Sequence, residues 1–534
     1  MFTRFNILFF LIIGFVSSAL GQQPTSPQPL ELPDIIISGT EKIDVPAGVK
    51  QMPKKTSPLS AKELDSLNTL EKQPPLLLPL GMLQFNRYTP KFSRGFVRGE
   101  FGQYISPILE AGYGTEFGGY ALNALAGYAS SGGHLENADF SIIKAHLNAD
   151  YIAPEKYLFF GGSKTETTLD FNRSAYNLFA IPSAPERTTT DFAAKIGVKG
   201  NYNSFGYSAG GSWSSIALKQ DTNSSVADNA LNGHVTIQNT WNDIIVGGSL
   251  LLDLHTIRGN SSNYIEAGGF AEYMLGNFTF NGIAAVQTAN TSGGVTLAGI
   301  KFKAGAQYRM NELFTLRGGL GTGLENNSFR DMLHTNPYLA DSAFVTFPRD
   351  HITVHASINY FPVEALSASA GLVYKLVADT PLFTSTGVGT FLPFYAEVSS
   401  FEINSELSWK VTPTDNVTAF MAITSASLPE YADSTSSSVP YISPFKLTGS
   451  WHRNWSEQFG TQITAQYVSS RYADIAKQQE LSGFTTINVR GEYVLSQTAR
   501  VHLRLDNLLN STVFLWNGYK ERGIFIAAGI TWQF

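Results

Sequence analysis

The chain has 534 residues, of which 15% are charged and 13% aromatic, and it contains 48 glycines. It has no cysteine, which excludes disulfides, thiol catalysis and metal sites built on Cys. The formal net charge of −6 argues against a nucleic-acid partner.

The first residues, "MFTRFNILFFLIIGFVSSALGQQ", combine a positive charge at Arg4, an apolar run and the small residues of "ALG". This order is typical of a secretory signal peptide, which we expect over residues 1–21. The apolar run is shorter than the ~20 residues that a membrane-spanning helix needs. We therefore expect an exported protein.

Residues 22–94 form a proline-rich segment that contains one short β-prone stretch, "DIIISGT". We expect this segment to lie in the periplasm. The stretch consists of Asp34, Ile35, Ile36, Ile37, Ser38, Gly39 and Thr40. Because prolines flank it on both sides, we expect it to stay extended and to offer an unpaired strand to a partner.

From residue 95 onward the sequence alternates between apolar and polar residues. In residues 300–310, for example, Ile300 and Phe302 fall on one face, and Lys301 and Lys303 fall on the other. Such alternation predicts strands with one apolar and one polar face. In a sandwich the apolar face would be core, and in a membrane barrel it would meet lipid.

The connections between these strands separate the two cases, because tight turns alternate with longer or Gly/Ser/Asn-rich connections. The tight turns are expected at 118–119, 153–155, 203–204, 242–243, 276–277, 311–312, 363–365, 414–415, 456–458 and 497–498. The other connections are expected at 106–107, near 131, 260 and 291, and at 172–188, 219–228, 327–349, 380–399, 428–442, 475–482 and 511–522. This pattern is that of an antiparallel up-and-down transmembrane β-barrel with short periplasmic turns and long extracellular loops. The segmentation gives about 22 strands over residues 95–534.

Aromatic residues support this interpretation. Each of eight falls one to five residues before a tight turn, at the depth of an interfacial girdle: Tyr202, Trp241, Tyr273, Tyr308, Tyr360, Trp409, Trp455 and Tyr493. The last strand places Ile530, Trp532 and Phe534 on one face and ends the chain on an aromatic residue. This ending is similar to the signal by which outer-membrane proteins are recognised for assembly.

Two stretches resemble the TonB-dependent receptor family. Residues 501–534, with Asn-Leu-Leu-Asn at 507–510, Arg522-Gly523 and the final Phe534, are similar to the closing strands of that family. Residues 34–40 resemble the TonB box, which pairs with the energy-coupling protein TonB. The resemblance implies an outer-membrane receptor, but residues 41–94 leave no room for the family's globular plug, so we expect the plug to be missing or much reduced.

The sequence favours passage of a nutrient or other solute across the outer membrane. A structural or partner-binding barrel is the alternative, and an enzyme is a third hypothesis with little support. No catalytic residue, metal site or cofactor is predicted, and His351 and His355 are interpreted as polar residues that face the lumen. The expected partners are the outer-membrane bilayer, the barrel-assembly machinery, TonB through residues 34–40, and an unknown small-molecule ligand. Residues 174–188 and 380–397 are the expected ligand-binding loops.

Overall fold

The computed structural model describes residues 95–534, except 158–159, 222–223 and 432–436. Residues 34–40, the expected signal peptide and the rest of the N-terminal segment lie outside the described residues, so the expected domain boundaries stay predictions.

The described chain forms one antiparallel sheet of 22 strands that closes on itself. The closure is direct: residues 96–102 in the first strand pair with residues 527–533 in the last. The strands of the barrel are β1 (Phe96–Gly102), β2 (Ser106–Phe117), β3 (Tyr120–Ser131), β4 (Phe140–Ile152), β5 (Lys164–Asn177), β6 (Glu186–Tyr202), β7 (Phe205–Gln220), β8 (Ser224–Trp241), β9 (Ile244–Ile257), β10 (Asn260–Leu275), β11 (Phe278–Asn290), β12 (Thr296–Arg309), β13 (Phe314–Leu324), β14 (Arg349–Val363), β15 (Leu366–Ser385), β16 (Phe391–Thr412), β17 (Asp415–Ser427), β18 (Phe445–Asn454), β19 (Phe459–Val468), β22 (Phe484–Val494), β23 (Ala499–Asp506) and β26 (Phe525–Gln533).

The connections contain a few further elements. Two small hairpins, β20 (Arg471–Tyr472) with β21 (Glu480–Leu481) and β24 (Phe514–Trp516) with β25 (Tyr519–Lys520), lie outside the barrel sheet. Helix α1 covers Phe329–Thr335, and a single 3₁₀ turn covers Pro429–Tyr431. No helix among the described residues is long and apolar enough to cross a membrane.

The predicted fold class and strand number are confirmed, and most tight turns lie where the sequence placed them. Three expected loops are much shorter than predicted, because cross-strand pairing continues into their polar residues. The connections that remain there are 178–185, 221–223 and 386–390. The turn expected at 153–155 is longer, at 153–163, and the turn expected at 106–107 lies at 103–105.

The two faces of the wall also follow the prediction. Ile300 is 72% exposed on the outside, whereas Lys301 on the inside donates to Glu266 at 2.8 Å. Six of the eight expected girdle residues are exposed at the tight-turn end: Tyr202, Trp241, Tyr273, Trp409, Trp455 and Tyr493. An outward apolar band with aromatic residues at one rim is the surface of a barrel that spans an outer membrane. The first and last residues of the barrel sheet then lie on the periplasmic side, at the same end as the tight turns.

Candidate functional site

The loops at the extracellular end fold over the mouth of the barrel. We call this structure the cap, and it comprises residues 178–185, 325–348, 386–390, 437–444, 469–483 and 507–524. Buried apolar side chains of the cap form a hydrophobic core together with side chains at the extracellular ends of the strands. The core members in the loops are Leu178, Phe329, Met332, Leu333, Tyr338, Leu339, Ala343, Val345, Tyr441, Ala473, Leu481, Val513, Leu515, Trp516 and Tyr519.

This core spans the mouth from one side of the barrel to the other. It includes Ile216 and Leu218 of β7 as well as Phe383 and Phe391 of the distant hairpin β15–β16. Phe329 is fully buried and Phe391 is 1% exposed. Each phenylalanine buried to this extent contributes about 1.5–3 kcal/mol of hydrophobic stabilisation. The cap is therefore packed like a protein interior.

Aromatic rings occupy the centre of the cap. The rings of Tyr338 and Tyr519 stack with centroids 3.4 Å apart, and Trp516 packs on Tyr441 at 4.6 Å. The Tyr519 hydroxyl donates to the carbonyl oxygen of Gly389 at 2.5 Å. Burial raises the pKa of both Tyr338 and Tyr519, so both rings are neutral at physiological pH.

The hairpin β15–β16 carries its turn across the mouth. A side chain at Gly389 in that turn would contact Ile181 and Tyr519 at 3.4 Å, although Ile181 belongs to the loop between β5 and β6. Gly389 has φ of +78°, a conformation that glycine adopts without strain. Near this turn, Phe391 forms two backbone hydrogen bonds with loop 325–348. Its N–H donates to the carbonyl oxygen of Tyr338 at 3.0 Å, and its carbonyl oxygen accepts from the N–H of Ala340 at 2.7 Å. The tip of the hairpin thus joins loops from three parts of the wall.

A buried arginine attaches loop 325–348 to the wall. Arg187, at the upper end of β6, has no exposed surface. Its Nη1 donates to the carbonyl oxygens of Pro337 at 3.2 Å and Leu339 at 2.7 Å, and its Nη2 donates to Gln220 at 2.6 Å. Hydrogen bonds from a charged donor are stronger than neutral ones, so Arg187 is a main anchor of the cap.

Two inward-facing carboxylates supply further anchors. Asp191 of β6 accepts from Arg330 at 3.0 Å and from His334 at 2.9 Å, and both donors belong to helix α1. Asp253 of β9 accepts from the side chain of Asn326 at 2.5 Å. The cap is thus connected to the inner wall by polar contacts as well as by its core.

A separate polar network lies on the inner wall where the barrel closes. Glu100 of β1 faces His502 of β23 across Gly529 of β26, and the missing side chain of Gly529 leaves room for the imidazole. Its carboxylate accepts from His502 at 2.8 Å, from Arg504 at 2.5 Å and from Arg98 at 3.0 Å. Glu100 is 4% exposed, so these contacts join β1 to β23 across β26 through a buried charge.

The structure places the sequence-predicted site residues as follows. Ile530, Trp532 and Phe534 share the outer face of β26, where they are 49%, 53% and 51% exposed. Of the expected ligand loops, 380–397 is mostly strand, whereas about half of 174–188 remains a connection at 178–185, and the turns of both belong to the cap. His355 faces the lumen beside Gly319, as predicted. No cluster of His, Cys, Asp or Glu side chains arranged to hold a metal ion is present in the described part of the chain.

Comparison with solved structures places this barrel among known ones. The FrpB iron transporter from Neisseria meningitidis has a TM-score of 0.66 at 10% identity, over 83% of this chain and 82% of its own. The copper transporter OprC has a TM-score of 0.63 at 13% identity, over 83% and 81%. The siderophore receptor PiuA from Acinetobacter baumannii has a TM-score of 0.62 at 9% identity, over 84% and 82%.

The chain has the barrel fold of these outer-membrane receptors. The resemblance to TonB-dependent receptors is therefore confirmed at the level of the fold. Comparisons with protein-family models and with curated protein sequences found no match. The receptor-type barrel accounts for the wall, and the packing of the long loops into a cap is what the sequence patterns left open.

Proposed function

We propose that this protein is a gated outer-membrane transporter, in which the cap closes the extracellular mouth and opens to admit a solute. The observation that carries the proposal is the cap itself. A barrel of 16 to 18 strands already leaves an aqueous channel, so one of 22 needs a barrier. The cap supplies a barrier, and its contacts join loops that can separate without breaking the barrel sheet.

We further propose that TonB supplies the energy for uptake through residues 34–40. The support is the resemblance of this stretch to a TonB box, together with the receptor fold of the barrel. The solved neighbours are named as transporters or receptors for copper, iron and siderophores, so metal ions and their chelates are the solutes to test first. These names also favour a transporter over an enzyme.

Two glycines of one turn provide a matched test of the gate. Gly387 and Gly389 both have positive φ, at +80° and +78°, but a side chain at Gly387 meets open space whereas one at Gly389 meets Ile181 and Tyr519. Asparagine tolerates this backbone conformation, so both substitutions have a similar backbone cost. We expect Gly389→Asn to raise the conductance of the purified protein in planar bilayers about tenfold, which corresponds to about 1.4 kcal/mol. Gly387→Asn should conduct like the wild type.

Equal conductance of the two variants, or a large constant conductance of the wild type, would show that the cap is not the barrier. The energy source is tested separately by deletion of residues 34–40. Uptake of the transported solute by cells should stop, while conductance and barrel assembly stay unchanged. Normal uptake after this deletion would refute TonB coupling and favour a barrel without energised transport.

A further inference from the structure

Two cationic side chains without an acidic partner lie beneath the cap on one side of the lumen. Arg471, in the short strand β20, is 5% exposed. Lys446, the second residue of β18, faces the lumen opposite Val468. Neither side chain has a carboxylate within 4.0 Å among the residues that the structure describes. Most buried or half-buried cations elsewhere in this wall, such as Lys301 and Arg504, do have one.

Arg471 is held in place with one edge of its guanidinium unused. Its backbone pairs with Leu481, and its Nη2 donates to the carbonyl oxygen of Phe514 at 2.7 Å. Its Nη1 is buried and has no hydrogen-bond acceptor. Burial lowers the pKa of Arg471 to about 10, so the group is still charged at neutral pH. A buried charged donor without an acceptor is costly, so an acceptor that reaches Nη1 would be bound favourably.

Lys446, on the inner face of the wall, lies near Arg471. Val468 pairs with Lys446 on one side and with Phe484 on the other, and the guanidinium of Arg471 lies 6.0 Å above the Phe484 ring. The two cations are close enough to repel each other, and the acid that attracts Lys446 is Glu402. The oxygens of Glu402 accept hydrogen bonds from other residues, at 3.1 and 3.3 Å.

Thr486 adds a third donor on the same inner face, two residues beyond Phe484. Thr486 is only 1% exposed, and its hydroxyl has no hydrogen-bond partner among the described residues. Carboxylate and phosphate oxygens accept hydrogen bonds from guanidinium, ammonium and hydroxyl groups, and these three residues supply one of each.

We propose that Arg471, Lys446 and Thr486 form a binding site for an anionic group, a carboxylate or a phosphate, carried by a small solute inside the lumen. Lipid headgroups carry phosphates too, but they lie on the other side of the barrel wall. The identification of this anion as part of the transported solute rests on the proposed function. The binding of an anion at this site does not depend on the proposed function.

The test measures thermal unfolding of the purified full-length protein in neutral detergent, with sodium phosphate and citrate as probes and sodium chloride at equal ionic strength as reference. We expect phosphate or citrate to raise the Tm of the wild type beyond the effect of chloride. Arg471→Met should weaken the apparent affinity for phosphate or citrate at least tenfold. Lys446→Met is a second variant, which should weaken the same affinity by removing the other cation. Lys219→Met, at an exposed position near the extracellular end of β7, is the control and should bind like the wild type.

The same anion-specific stabilisation in Arg471→Met and Lys446→Met, or none in the wild type, would overturn the proposal. If the anion binds as expected but uptake is absent, the site stands and the transport function does not.

Discussion

Replacement of Arg187 by methionine tests whether the cap is held shut by its polar anchors. Methionine has a similar length and keeps the apolar packing, but it donates no hydrogen bond. After the substitution the carbonyl oxygen of Pro337 still accepts from Tyr176 at 2.5 Å. The carbonyl oxygen of Leu339 and the side-chain oxygen of Gln220 lose the bonds that Arg187 gives them, at 2.7 and 2.6 Å.

The size of the effect follows from these two acceptors. A buried polar group that loses its partner costs about 1–3 kcal/mol, so two of them cost about 2–6 kcal/mol. At 1.4 kcal/mol for each factor of ten, the ratio of open to closed cap should rise between about thirty-fold and about twenty-thousand-fold. The barrel sheet should keep its stability, because Arg187 lies at the upper end of β6.

Hydrogen–deuterium exchange of the protein in detergent measures this opening. The amide groups of Ala340 and Phe391, which form the backbone contact between loop and hairpin, should exchange faster by the same factor. Arg349→Met is the control, because Arg349 makes an exposed ion pair with Asp379 at 2.7 Å, and such pairs contribute about 0–1 kcal/mol. If exchange of these amides rises equally in both variants, Arg187 is not an anchor of the cap.

Three further substitutions test other parts of the molecule. Glu100→Ala leaves His502 and Arg504 without their buried carboxylate and should lower the free energy of unfolding in urea by about 3–5 kcal/mol; an unchanged midpoint would mean that the network does not stabilise the closure. Burial lowers the pKa of His134 in loop 132–139. At a pH near or below the ordinary histidine pKa of about 6.5, the unfolded loop therefore binds more protons than the folded loop. Amide exchange in residues 519–521 should therefore increase, after correction for intrinsic rates, as the pH falls from 7.5 to 5.5, and His134→Gln should abolish that change; an equal pH dependence in the variant would contradict this role. Phe534→Ala should lower the fraction of heat-modifiable, assembled barrel in the outer membrane without a matching loss of stability in the purified protein, and normal assembly would show that the terminal aromatic is not the recognised signal.

The wall could be predicted from the sequence because its information is local. Alternation along each strand and tight turns such as Asn203-Ser204 repeat often enough to fix the number of strands and the face of each residue. Lys301 is an example, since its inward orientation follows from the apolar residues on either side of it. Short-range patterns of this kind need no knowledge of distant contacts.

The cap could not be predicted in this way because its contacts join residues far apart in the chain. Arg187 binds a carbonyl 150 positions away, and Tyr519 binds one 130 positions away. Neither contact leaves a period in the sequence. The sequence predicts a loop over 380–399, but residues 380–385 and 391–399 pair as strands, and Leu382 and Phe383 on opposite faces of the hairpin are both buried. The apolar residues within the loops, such as Trp516, were a signal that could have indicated a second core.

The lengths of the strands explain why the cap can form from the loops alone. A tilted strand of about 9–11 residues is enough to cross the membrane. β15 and β16 have 20 and 22 residues, whereas β1, β23 and β26 have 7, 8 and 9. At about 3.3 Å per residue, the extra 9 to 13 residues of the long hairpin add about 30–43 Å of strand, which at a tilt of about 45° rises about 20–30 Å. A wall that is tall on one side and short on the other can lean over its own opening, and the hydrogen bond from Tyr519 to the carbonyl oxygen of Gly389 joins the tip of the long hairpin to the loop before the last strand.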